Sequence, residues 1–125
     1  MNSLAEQLIE DSIENMTETS YIAVCRFEDL VENLGQCALI NGKQVAFFRV
    51  SDSDQVYAIN NHDPFSDANV ISRGVVGDLQ GRLVVASPVY KQHFDLQNGE
   101  CLEDESVVLE TYSTRVVDGV VEIAA

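Results

Sequence analysis

Basic side chains are scarce in this chain of 125 residues, where 7 lysines and arginines stand against 21 aspartates and glutamates, a formal net charge of −14. That balance repels phosphate backbones and anionic membrane surfaces, which argues against nucleic acid or a membrane as partner. The acidity serves solubility, or it steers the chain toward a basic patch on a larger protein, at a rate that added salt would slow. Long apolar runs are missing as well, none approaching the ~18 residues of a membrane span. The N-terminus lacks the basic region and apolar block of a secretory signal, so the expected location is the cytoplasm. Cysteine is limited to Cys25, Cys37 and Cys101, an odd number without Cys-x-x-Cys spacing, which favours reduced thiols over a disulfide framework. Cys25 and Cys37 lie in apolar strand segments and read as core residues. Cys101 precedes Glu103-Asp104-Glu105, whose charge disfavours a thiolate. Nucleophile elbows, phosphate loops, dinucleotide fingerprints and zinc-protease helices are all absent.

What is present from Tyr21 onward is a pattern of short strands and tight turns. Asn41-Gly42, Gln80-Gly81, Asn98-Gly99 and Asp118-Gly119 are turn signals flanked by β-branched or aromatic residues. They predict strands over 21–25, 36–40, 43–50, 55–59, 74–79, 82–87, 92–96, 107–112, 114–118 and 120–124, with a turn of helix from Glu28 to Leu34 closed by Gly35. Ten short strands at this spacing predict an all-β antiparallel sandwich or small barrel, a single domain over 21–125. Asp52-Ser53-Asp54 lacks the glycine and terminal glutamate of a calcium loop and reads as a turn. Residues 1–20 differ in character. Glu6, Glu10, Asp11, Glu14 and Glu18 occur there without a lysine or arginine, and Leu4, Leu8, Ile9, Ile13 and Met16 recur at near-helical spacing. This predicts a short acidic amphipathic helix whose order is weak or partner-dependent.

Two short loops, Asp63-Pro64-Phe65 and Ser87-Pro88-Val89-Tyr90, hold both prolines of the chain. Proline fixes φ and removes a donor, so it marks places where the chain must turn without a ladder bond. Val56-Tyr57-Ala58-Ile59-Asn60 leads into the first loop, Leu83-Val84-Val85-Ala86 into the second, and Phe94-Asp95-Leu96-Gln97-Asn98-Gly99 follows. This frame resembles Rieske domains, which hold a [2Fe–2S] cluster through Cys-x-His in one loop and Cys-x-x-His in another. The resemblance assigns the four ligand positions to Asp63, Phe65, Ser87 and Tyr90, with each proline directly after a cysteine position. Phe65 offers no lone pair, the Ser87 hydroxyl is not ionised near neutral pH, and Asp63 and Tyr90 carry hard oxygens where the cluster takes thiolate and imidazole. The expectation is a Rieske-like frame without metal or cofactor. The two histidines, His62 and His93, could join Asp63 in a mononuclear metal site, against the plainer reading of two partly exposed loop histidines.

A closer resemblance runs through Asn69-Val70-Ile71-Ser72-Arg73-Gly74, Val85-Ala86-Ser87-Pro88, Lys91-Gln92-His93-Phe94 and Cys101-Leu102-Glu103-Asp104-Glu105. Together with Asp63-Pro64-Phe65, these runs resemble the small subunit of the NAD(P)H-dependent assimilatory nitrite reductase, a Rieske-like domain lacking the cluster ligands. The resemblance covers the chain after residue 20 and leaves residues 1–20 as an extension. It implies a non-catalytic cytoplasmic subunit that docks on or stabilises a large catalytic subunit, inactive on its own. That partner would reduce nitrite to ammonia and carry the FAD, iron–sulfur and sirohaem centres. The alternatives are a degenerate Rieske-type interaction module of another complex and an electron-transfer protein. Candidate partner-binding residues are His62, Phe65, Tyr90, Lys91 and His93. Phe65 and Tyr90 either face the partner as aromatic anchors or turn inward to fill the volume of a cluster.

Overall fold

The computed structural model describes residues 20–51 and 53–125, so the acidic helix expected over 1–20 falls almost wholly outside the described residues. Every strand pairing is antiparallel. Chain order runs β1 (Ile22–Arg26), β2 (Gly35–Ile40), β3 (Lys43–Arg49), β4 (Val56–Asn60), β5 (His62–Asp63), β6 (Ala68–Asn69), β7 (Val75–Leu79), β8 (Arg82–Ala86), β9 (His93–Asp95), β10 (Thr111–Val117) and β11 (Val120–Ala124). A six-stranded sheet ordered β1-β11-β10-β4-β3-β2 curls toward a barrel, a second sheet is ordered β7-β8-β9, and β5 and β6 form a small hairpin.

Strand alternation explains how β3 and β4 come to sit between two cores. Successive side chains point to opposite faces. Val45 and Phe47 of β3, with Val56 and Ala58 of β4, pack with Val121 and Ile123 on one face. Ala46, Phe48 and Ile59 point the other way and meet Ile71, Val85, Phe94, Leu96, Cys101 and Leu109. The second core fixes the three-stranded sheet, and with it the loop that sheet carries, against the larger one. Gly35 of β2 lets the Ile71–Arg73 segment approach the larger sheet closely. A β-carbon there would lie 2.1 Å from the Ser72 carbonyl oxygen.

Three of the four turn signals are two-residue hairpins. Both residues have positive φ in Asn41-Gly42, Gln80-Gly81 and Asp118-Gly119, the I′ geometry that suits the twist of paired strands. Gln80, at φ 56°, is the poor choice among them, because asparagine and aspartate tolerate this region better. Gln80→Asn is expected to raise stability by about 0.5 kcal/mol, measurable as a higher urea midpoint at unchanged slope. The fourth signal differs. The Gly99 N–H bonds back to the Asp95 carbonyl at 2.7 Å, so Asn98-Gly99 turns the chain after β9.

Several expectations need correction. Residues 107–112 and 114–118 are not two strands. One strand, β10, spans Thr111–Val117, and residues 107–110 follow an irregular path held by the Glu100–Val108 bridge and the bond from the Leu109 N–H to the Gly99 carbonyl. The helical turn expected from Glu28 to Leu34 is a 3-10 turn over Phe27–Asp29, and a second one, over Ile71–Arg73, was unforeseen. Cys37 is exposed on edge strand β2 and is not a core residue, whereas Cys25 is half-buried and packs against the core, and Cys101 is buried at 3% exposure. Burial, ahead of the neighbouring Glu103 charge, pushes the Cys101 thiol up.

Candidate functional site

The loop carrying Asp63 is built on a buried asparagine. Asn61 accepts the Ser72 N–H on its side-chain oxygen at 2.8 Å and the Ile71 N–H on its carbonyl at 3.1 Å, while its amide donates to the Asn69 carbonyl at 3.3 Å. These bonds hold the β5–β6 hairpin against the 3-10 turn that follows it. The Asn60 side chain adds a bond from the His62 N–H at 2.9 Å. The second loop links β8 to β9 and closes on itself, with Ser87 N–H donating to the Gln92 carbonyl at 2.9 Å and Lys91 N–H to the Ser87 carbonyl at 3.1 Å.

The two loops meet at a buried hydrogen bond. Asp63 and Ser87 are both 0% exposed, and the Ser87 hydroxyl donates to one Asp63 carboxylate oxygen. The other carboxylate oxygen accepts the Phe65 N–H at 2.9 Å, closing the first loop as an Asx turn. Burial alone would raise this carboxyl. The bonds from the Ser87 hydroxyl and the Phe65 N–H outweigh it and hold Asp63 below its ordinary value of 3.8, as expected of a carboxylate that accepts several donors.

The two aromatic residues divide between the alternatives set out above. Phe65 turns inward and packs on the core, its ring 6.2 Å from that of Phe94. Tyr90 stays 61% exposed at the tip of the second loop, beside Val89 at 44% and the exposed Lys91.

The histidines are engaged locally. His62 is bracketed by acceptors, with Nδ1 3.0 Å from Asn69 Oδ1 and Nε2 3.1 Å from Asp67 Oδ1. His93 holds Glu103 at two points, its N–H donating to Oε1 at 2.6 Å and its Nδ1 lying 2.7 Å from Oε2. Although burial opposes it, this grip keeps the Glu103 carboxyl below its ordinary value. The mononuclear site considered for His62, His93 and Asp63 is not assembled, because each side chain faces its own partner and no metal-ligating trio converges among the described residues. Sequence reasoning missed Asn61 and Glu103. The Asn60-Asn61 pair just ahead of the first loop was the available signal for the former, since buried amides are kept for the backbone bonds they satisfy.

An antiparallel two-sheet fold that presents two facing loops from neighbouring hairpins defines the class. The chain belongs to the Rieske-like [2Fe-2S] domain family, whose model matches residues 20–124. The residues present do not suit the cluster that the family's description names. A [2Fe–2S] centre takes thiolate and imidazole donors, whereas Asp63 and Ser87 are bonded to each other, Phe65 is packed in the core, and Tyr90 offers a phenol. All three cysteines lie outside the loops.

Within the family the chain is similar to nitrite reductase small subunits. The nitrite reductase (NADH) small subunit of Salmonella typhimurium is 50% identical over 100 residues, covering 80% of this chain and 93% of that one. The solution structure of the E. coli protein NirD superposes with a TM-score of 0.80 at 44% identity, covering 86% of this chain and 98% of NirD. A third relative is named a large subunit. The nitrite reductase [NAD(P)H] large subunit of Klebsiella oxytoca is 36% identical over 97 residues, 78% of this chain but 10% of that protein.

Proposed function

We propose that this chain is the non-catalytic small subunit of a cytoplasmic nitrite reductase that uses NAD(P)H to reduce nitrite to ammonia in nitrate assimilation. It docks on the large subunit, which supplies the FAD, iron–sulfur and sirohaem centres, and it binds none of these itself. The observation that carries the docking role is the hydrogen bond between Ser87 and Asp63. The two positions that would each bring a thiolate to a cluster are bonded to each other, so the loops keep their mutual placement through protein chemistry alone. The Klebsiella large subunit supports a shared assembly, since it carries a stretch like this domain within one long chain. The contact is made by the loop end, with Tyr90 as the exposed aromatic anchor, Lys91, His62 and His93 around it, and Phe65 supporting the first loop from within.

Co-expression with the sirohaem-containing large subunit tests this reading. The two chains are expected to co-elute, the isolated small subunit to show no absorption above the aromatic band, and nitrite turnover to appear only with the large subunit. A large subunit that purified alone with unchanged activity and stability would defeat the proposal. A reddish small subunit with a Rieske-type spectrum would do the same.

A further inference from the structure

All seven basic side chains of the chain fall within the described residues, and five are neutralised there by a carboxylate. Arg26 pairs with Glu28, Lys43 with Glu110, Arg49 with Glu32, Arg82 with Asp95 and Glu100, and Arg115 with Glu122. Arg73 and Lys91 make no ion pair among the described residues. Both are exposed, and both flank Ser87. Arg73 ends the 3-10 turn two residues before Val75, which pairs with Ala86, the residue preceding Ser87. Lys91 reaches the same point from the other side through the bond from its N–H to the Ser87 carbonyl.

The surroundings of these two cations suit a contact. Val75 is 71% exposed, Tyr90 61% and Val89 44%, which places apolar area beside the charges. Of the acids in and after the two loops, Asp67 lies against His62, Glu103 lies against His93, and Asp104 accepts the Ser106 hydroxyl. Lys91 also sits at φ 66°, a left-handed conformation that suits glycine or asparagine better than lysine.

We propose that this end of the domain is a cationic, apolar docking face, and that it seats on a carboxylate-bearing apolar patch of the large subunit. Arg73 and Lys91 supply the charge contacts around Tyr90 and Val75. This rests on the docking role proposed above and gives that contact a polarity. The polarity is opposite to the net charge of −14. Long-range attraction set by net charge and short-range complementarity at the patch are separate effects, and the contact draws on the two cations that make no ion pair among the described residues.

Dissociation constants for the purified holo large subunit and the full-length small subunit test the proposal. Arg73→Glu and Lys91→Glu are each expected to weaken binding about tenfold, because like charges set opposite each other oppose docking. Arg26→Glu makes the same change of charge on β1 and is expected to bind as the unaltered chain does. Lys91→Gly separates charge from folding, since glycine accepts the left-handed conformation. It is expected to melt no lower than the unaltered chain yet to bind several-fold more weakly. Unchanged or tighter binding by Arg73→Glu and Lys91→Glu would overturn the cationic face and leave the docking role standing. Failure of the unaltered chain to bind would overturn both.

Discussion

Changing Ser87 to alanine is expected to lower the unfolding free energy by about 2 to 3 kcal/mol at neutral pH, because it leaves a buried carboxylate short of a donor. The Asp63 carboxylate oxygen that loses the hydroxyl is fully buried, so water cannot replace the bond without opening the loops. The loss carries a pH signature. Above its ordinary value of 3.8, the Asp63 carboxyl is charged in both the folded and the unfolded chain, and the bond contributes in full. As pH falls through the lower folded value the carboxyl gains a proton and that contribution is lost. The gap between the unaltered chain and Ser87→Ala should therefore be widest from about pH 5 upward and narrow toward about pH 3. Urea titrations at both ends of that range measure it. A gap that stayed constant would mean that the hydroxyl does not bind a charged carboxylate.

The second large effect separates the two aromatic residues. Tyr90→Ala is expected to cost about 2 kcal/mol in binding to the large subunit, the scale of an interface anchor, while changing stability by less than about 0.5 kcal/mol. Its ring is mostly in solvent, so little is lost on truncation in the free domain. Phe65→Ala should behave the opposite way. Its ring packs on the core beside Phe94, and removing it is expected to destabilise the domain by about 2 kcal/mol, less than a fully buried phenylalanine would cost. Chemical denaturation and titration calorimetry on the same two variants give both numbers. If Tyr90→Ala bound as tightly as the unaltered chain, the loop tip would not be the anchor.

The strands were legible where periodicity and turn chemistry agreed. Asn41-Gly42 and Asp118-Gly119 marked hairpins that lie where the residues place them, because positive φ at both positions selects those residue types. Thr111–Val117 forms one strand where the local pattern predicts parts of two. Residues 107–110 have strand-like composition, but their backbone is held by the turn at Gly99, a long-range constraint that no local pattern carries. The cysteines show the same limit from another side. Cys37 lies in an apolar run that forms an edge strand and faces outward, so composition alone could not place it. Of the loop pair, sequence revealed the frame and the unsuitable donors. The bond between Asp63 and Ser87 joins residues 24 positions apart, and the choice between inward Phe65 and outward Tyr90 depends on packing around Phe94.

Hydrogen exchange on the small subunit, free and bound to the holo large subunit, tests the central claim most directly. The account predicts slower exchange on binding at the backbone amides of residues 65–67 and 87–92, apart from Pro88, with the amides of β1 and β11 unchanged. Protection confined to β1 and β11, with both loops exchanging as in the free domain, would contradict it.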